Sequence, residues 1–136
     1  MKNIIISLKI IIVFLLIFTT SCSKYEEGPF FSLQTKKERL VKTWELTEII
    51  DNGGTWNNFS PVTLLFNEDG TGARDYLATE SSIEWKFDKN KENLLIKENS
   101  SEDYISYEII KLTKEELWLQ RYWADELGIE KYSAKY

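Results

Sequence analysis

The chain has 136 residues, 17 basic and 22 acidic side chains, a formal charge of −5, and five Trp, seven Tyr and seven Phe within a 43% hydrophobic composition. That length suits one domain, and that composition excludes disorder over the whole chain. No His and a single Cys exclude an internal disulfide, His-containing zinc sites, Ser-His-Asp and Cys-His catalysis and His-based pH switching, and the acidic balance argues against a nucleic-acid partner.

The first segment reads as a targeting signal. Lys2 and Lys9 supply a positive flank, and Ile10 to Phe18 is an unbroken apolar run of nine residues. Counted from Ile4 the stretch is 15 residues, short of the roughly 20 that a spanning helix needs. Thr19, Thr20, Ser21 and Cys22 follow at once. This end resembles a bacterial lipoprotein signal peptide, in which a peptidase cuts before a Cys whose sulfur carries a diacylglycerol. Ser21 fits the small residue before the cut, whereas Thr19 stands where that family usually has Leu. The bland alternative is an ordinary cleaved signal and a stray Cys. The resemblance implies a signal peptide over 1–21, a lipidated Cys22 and tether over 22–32, and a domain over 33–136 anchored in the cell envelope, at the outer membrane, on its periplasmic or outer face.

Ser23 to Ser32 carries the structure-breaking pair Gly28-Pro29 and has a flexible-chain reach of about 16–19 Å. Glu26-Glu27 has two readings. It is solvated spacer, or it resembles the acid-rich stretch that some lipoproteins use as a surface-export signal. No second long apolar run follows, so the domain itself is expected to be soluble.

Phe31 to Lys42 reads as a short helix, with Phe31, Leu33, Leu40 and Val41 apolar and Lys36, Lys37, Glu38 and Arg39 exposed. The pattern then switches to eight strands: Thr43–Ile50, Pro61–Asn67, Thr71–Ala78, Ser82–Asp88, Asn93–Glu98, Tyr104–Leu112, Glu116–Trp123 and Ile129–Tyr136. Turn chemistry fills the gaps at Asp51-Asn52-Gly53-Gly54, Asn67-Glu68-Asp69-Gly70, Asp88-Lys89-Asn90-Lys91 and Asn99-Ser100-Ser101. Connections this short forbid parallel crossovers. The fold class is all-β: an eight-stranded antiparallel up-and-down meander preceded by a short helix.

One apolar face per strand shows in the alternation. Trp44, Leu46 and Ile50 share a phase, with Glu48 out of pattern. So do Val62, Leu64 and Phe66; Ile83, Trp85 and Phe87; Ile105, Tyr107 and Ile109; and Leu117, Leu119 and Trp123, with Arg121 between the last two. Ile110 and Leu112 suggest a phase change after Ile109, as a bulge would produce. Eight such strands can close on themselves and remove their unpaired edges.

The segments Leu40–Leu46, Leu64–Gly72, Ile83–Asp88 and Leu112–Leu119, in this order and spacing, resemble the lipocalin-like domains of small bacterial lipoproteins from about Leu40 to the C-terminus. Lys42 stands where that family usually has Gly, two residues before the first Trp. The resemblance implies a lipocalin-like barrel and a non-enzymatic protein binding a small apolar or amphipathic ligand. It also implies that Arg121, on a late strand, packs across Trp44 in a cation–π contact. The functional alternative for Arg121 is a counter-ion for a carboxylate ligand.

Trp44, Trp85, Phe87, Tyr107 and Arg121 are thus candidates for the barrel interior or its ligand. Trp118 is out of phase with Leu117 and Leu119, Tyr122 shares its side, and Trp56 lies in the Gly-containing segment Asp51–Ser60. These three are expected on the surface as candidate contacts, and they support an alternative function as a protein-interaction or inhibitor module. Asp69-Gly70-Thr71-Gly72 fits a hairpin turn better than a calcium loop, because Leu65 and Tyr76 occupy ligand positions of the latter. Asp75, Glu80, Glu84, Glu102, Asp103 and Glu108 leave a carboxylate-only hydrolase as a third reading, but no spacing singles out a pair. Neither a catalytic residue, a metal ligand nor a cofactor is assigned from the sequence.

Overall fold

Alternation with a period of two places apolar side chains on one face of each strand, and that face must be covered. In the computed structural model, which describes residues 34–98, 101–123 and 126–136 without the side chain at 123, the strands cover it by rolling into a barrel. A helix, α1 (Lys36–Leu40), precedes β1 (Thr43–Asp51), β2 (Gly54–Trp56), β3 (Val62–Phe66), β4 (Thr71–Tyr76), β5 (Thr79–Phe87), β6 (Asn93–Glu98), β7 (Ile105–Leu112), β8 (Glu116–Trp123) and β9 (Glu126–Lys135). Every pairing is antiparallel. β1 and β3 to β9 follow one another around the barrel, and β1 pairs with β9 to close it with eight strands. The expectations for Cys22 and the rest of 1–33, for Asn99-Ser100 and for the Trp123 side chain lie outside the described residues.

The ninth strand is the addition to the sequence reading. β1 pairs with β3 only over Thr43–Glu45, and above that it pairs with β2, Ile49 opposite Trp56. The segment read as a loop therefore folds back as a hairpin in the place that β3 vacates. Two bulges explain the phase breaks. The register of β1 against β9 shifts between Leu46 and Glu48, which turns Glu48 outward to Lys131 and brings Ile49, rather than Ile50, against the core. The register of β7 against β8 shifts between Ile109 and Lys111, which returns the buried Leu112 to the inside.

α1 is shorter than the sequence suggested. Thr35 caps it: its hydroxyl accepts from the Glu38 amide, and the Glu38 carboxylate accepts from the Thr35 amide. The helix closes one end of the barrel. Leu40 is fully buried, and the Trp44 indole donates to the Leu40 carbonyl at 2.9 Å. Arg39 donates to the Leu112 carbonyl at 3.0 Å and Lys42 to the Lys114 carbonyl at 2.8 Å. With its ammonium also 5.4 Å from the centre of the Trp44 ring, Lys42 spans this end where a Gly would leave it open.

Above the plug sits an aromatic layer. Trp85 meets Phe66 and Phe87 edge-on at 5.6 and 5.7 Å, and its indole donates to the Asn67 and Thr71 carbonyls. Burying each such ring contributes roughly 1.5–3 kcal/mol. Gly72, across from Phe66, leaves the necessary room: a Cβ there would lie 2.0 Å from the Leu65 carbonyl oxygen. Among the described residues the other end has no such plug. It is rimmed by the β1–β2 hairpin, the β4–β5 turn at Leu77-Ala78, and the strand ends at Glu98, Ile105, Trp123 and Glu126.

Candidate functional site

The open end leads into a cavity of about 580 Å³. Leu46, Val62, Tyr76 and Leu77 form its apolar wall, and Arg74, Glu98, Glu130 and Tyr132 its polar one. All of these except Leu77, at the turn, are inward positions on their strands. Arg74 follows Gly72 by two residues, Glu98 follows Leu94 and Ile96, and Glu130 lies between Gly128 and Tyr132.

The polar groups form a connected set. Arg74 makes an ion pair with Glu98 and donates to the Tyr107 hydroxyl at 3.4 Å. The Arg121 guanidinium lies 5.1 Å from the centre of the Tyr107 ring, and its Nε is 3.9 Å from Glu130. Tyr132 donates to the other oxygen of Glu130 at 2.5 Å. Two guanidinium groups thus face two carboxylates, as buried charge requires. Burial works against the charge on Arg74, but the facing Tyr107, Tyr132 and Glu98 oxygens outweigh it and hold the guanidinium above its ordinary pKa. Burial, then the neighbouring Glu130 carboxylate, pushes the Tyr132 hydroxyl well above its ordinary value; burial also raises Tyr107.

The interior candidates divide between the two ends. Trp44 and Trp85 are buried at the closed end, with Phe87 packed against that core. Tyr107, fully buried, and Arg121 belong to the polar set above them. The expected stacking of Arg121 on Trp44 is corrected by register. Trp44 pairs with Ala134 and Arg121 with Gly128, six residues along β9, or roughly 20 Å. The ring beneath Arg121 is Tyr107.

Of the surface candidates, Trp56 and Tyr122 are 55% and 72% exposed. Trp118 is half-buried, held between the Lys111 and Lys131 ammonium groups at 4.7 and 4.5 Å. They do not share one face. Trp56 is directly opposite Ile49, so it lies on the side that continues the barrel interior, and its indole donates to Asp51. Trp118 lies on the outer side with Lys131 and Glu48.

Arg74, Glu98, Glu130 and Tyr132 were missed in the sequence. The available signal was phase: each is a polar or half-polar residue at an inward position. The carboxylates weighed instead, Asp75, Glu80, Glu84, Glu102 and Asp103, are exposed. Among the described residues no group of three or more Cys, Asp or Glu is placed to hold a metal ion. No protein-family model matches the chain, and no curated protein does.

Proposed function

We propose that the protein is a non-enzymatic carrier that takes a small amphipathic ligand into the mouth of its barrel, and that lipid on Cys22 ties it to the cell envelope at the outer membrane. The observation that carries the binding reading is the cavity, whose volume of about 580 Å³ falls within the range of roughly 300–1,000 Å³ usual for ligand sites. A wholly apolar occupant would cover the half-exposed Glu98 carboxylate, which pairs with Arg74 through one oxygen, without satisfying the other. Of the two ligand classes suggested by the sequence, the amphipathic one therefore fits. The anchoring half rests on Cys22 and the apolar run before it. Residue 34 enters the barrel at the closed end, so a tether arriving there would turn the mouth away from the bilayer.

Two measurements test this reading. Lipidated protein in nanodiscs, with empty discs as the blank, is titrated with cyclohexylmethanol and followed by NMR. Saturable shifts at Leu46, Val62 and Leu77, lost in Leu77→Asp, are expected; shifts that never saturate, or that spread over the outer face, would sink the carrier reading. Metabolic palmitate labelling should vanish in Cys22→Ser, and label that persists would remove the anchor.

A further inference from the structure

We infer that the mouth selects a cationic amphiphile, an apolar body ending in a protonated amine, with the ammonium held at Glu98. This rests on the mouth-binding reading above. The first observation is how charge is divided between the ends of the barrel. Among the described residues of the open end, 51–61, 75–80, 98, 101–104, 122–123 and 126–127, there is no Lys or Arg. Their described acidic residues outside the cavity wall are Asp51, Asp75, Glu80, Glu102, Asp103 and Glu126. The turns of the closed end, by contrast, mix Lys89, Lys91 and Lys114 with acids. A low-dielectric cleft rimmed by one sign of charge concentrates ions of the other sign. The mouth therefore draws cations and opposes carboxylate, sulfate and phosphate heads.

The second observation is which polar atoms the cavity offers. The Arg74 Nε has no hydrogen-bond partner among the described residues, yet it is buried away from solvent and offers a ligand no donor. Glu130 is 7% exposed and already engaged by Tyr132 and Arg121. Glu98 differs. Its side chain is 31% exposed in the cavity wall and pairs with Arg74 through one oxygen. A carboxylate has about four acceptor sites, so Glu98 retains acceptors toward the cavity. Tyr76, in phase with Arg74 and 53% exposed at the rim, adds an aromatic face of the kind that attracts ammonium groups. Leu46, Val62 and Leu77 then receive the apolar body.

The test uses three compounds of one shape, cyclohexylmethylammonium, cyclohexylmethanol and cyclohexanecarboxylate, titrated at low ionic strength into the lipidated protein in nanodiscs of zwitterionic lipid. The ammonium is expected to bind about tenfold tighter than the alcohol, and the carboxylate weaker than either, with the spread narrowing as salt is added. Glu98→Gln should reduce ammonium affinity about tenfold while leaving the alcohol within about twofold. Because that change also removes the partner of Arg74, the exposed pair Asp75→Asn with Glu80→Gln provides a second reading. It should weaken the ammonium about threefold and flatten its salt dependence. A carboxylate that binds as tightly as the ammonium, or an ammonium indifferent to both variants, overturns the inference. If the alcohol binds and the ammonium gains nothing over it, this inference falls and the carrier reading stands; if none of the three binds, both fall.

Discussion

Tyr132 donates its hydroxyl hydrogen to the Glu130 carboxylate at 2.5 Å, two residues back along the same face of β9. A buried phenol thereby satisfies a nearly buried acid in the cavity wall. Tyr132→Phe is expected to lower stability by about 1–3 kcal/mol in urea denaturation, because Glu130 loses a donor inside the wall. The pair also sets an alkaline limit. Tyr132 and Tyr107 both have raised pKa values, so the unfolded chain loses these protons first as pH rises. Their contribution is complete below about pH 10 and declines above it by about 1.4 kcal/mol per pH unit for each tyrosine. Tyr132→Phe should flatten that decline, and an unchanged alkaline profile would contradict the burial.

Arg121 and Tyr107 should be coupled, and Arg121 and Trp44 should not. In double-mutant cycles, Arg121→Ala with Tyr107→Leu is expected to show an interaction of about 0.5–2 kcal/mol, the range of a cation–π contact. Arg121→Ala with Trp44→Ala should be additive within about 0.5 kcal/mol, since the two sit at opposite ends of the barrel.

The β4–β5 turn carries strain that a substitution can release. Leu77 and Ala78 have φ of 53° and 59°, the left-handed region that Asn and Gly occupy most easily. Leu77→Asn with Ala78→Gly is expected to raise stability by about 1–2 kcal/mol in urea denaturation. It should also weaken cyclohexylmethanol, because Leu77 is part of the apolar wall. A gain in stability with binding unaffected would mean that the turn has no part in the site.

Acrylamide quenching should rank the tryptophans by burial. Trp56→Phe is expected to remove the most quenchable emission, Trp118→Phe an intermediate component, and Trp44→Phe and Trp85→Phe protected ones. Protection of Trp56 equal to that of Trp85 would require the β1–β2 hairpin to fold down over the mouth.

The barrel was legible because its strands announce themselves twice, through alternation and through turn residues at regular spacing. Asn93–Glu98 and Glu116–Trp123 coincide with β6 and β8. Where the reading slipped, a residue broke the period. An extra residue in β1 moved Ile49 into the place expected for Ile50, and Leu77-Ala78 makes a tight turn without the Asn or Gly that usually marks one. The site was less legible for a related reason. Apolar phase finds a core, whereas a charged residue in the same phase reads as an exception until its partners are known. Glu98 and Arg74 lie far apart in the chain and become a pair only when β4, β5 and β6 are laid side by side.

The seam between β1 and β9 has a bearing on the order in which the molecule assembles. Apart from the short β1–β3 seam, which brackets the β2 hairpin, every other barrel seam joins strands that follow one another in the chain and can zip from its turn. This one brings Thr43 to Lys135, about ninety residues away, and so carries the largest loop-closure entropy of the fold. Non-local closure of this kind slows folding, and it leaves both edges exposed in the interval. Two chains caught at that stage could exchange edges instead of each closing its own. The outer faces of the seam carry Glu45, Glu48, Lys131 and Lys135, which form ion pairs once the barrel is shut. Before closure those same charges make each edge a poor template for a stranger, so they guard the nascent barrel against aggregation while it waits for its last strand.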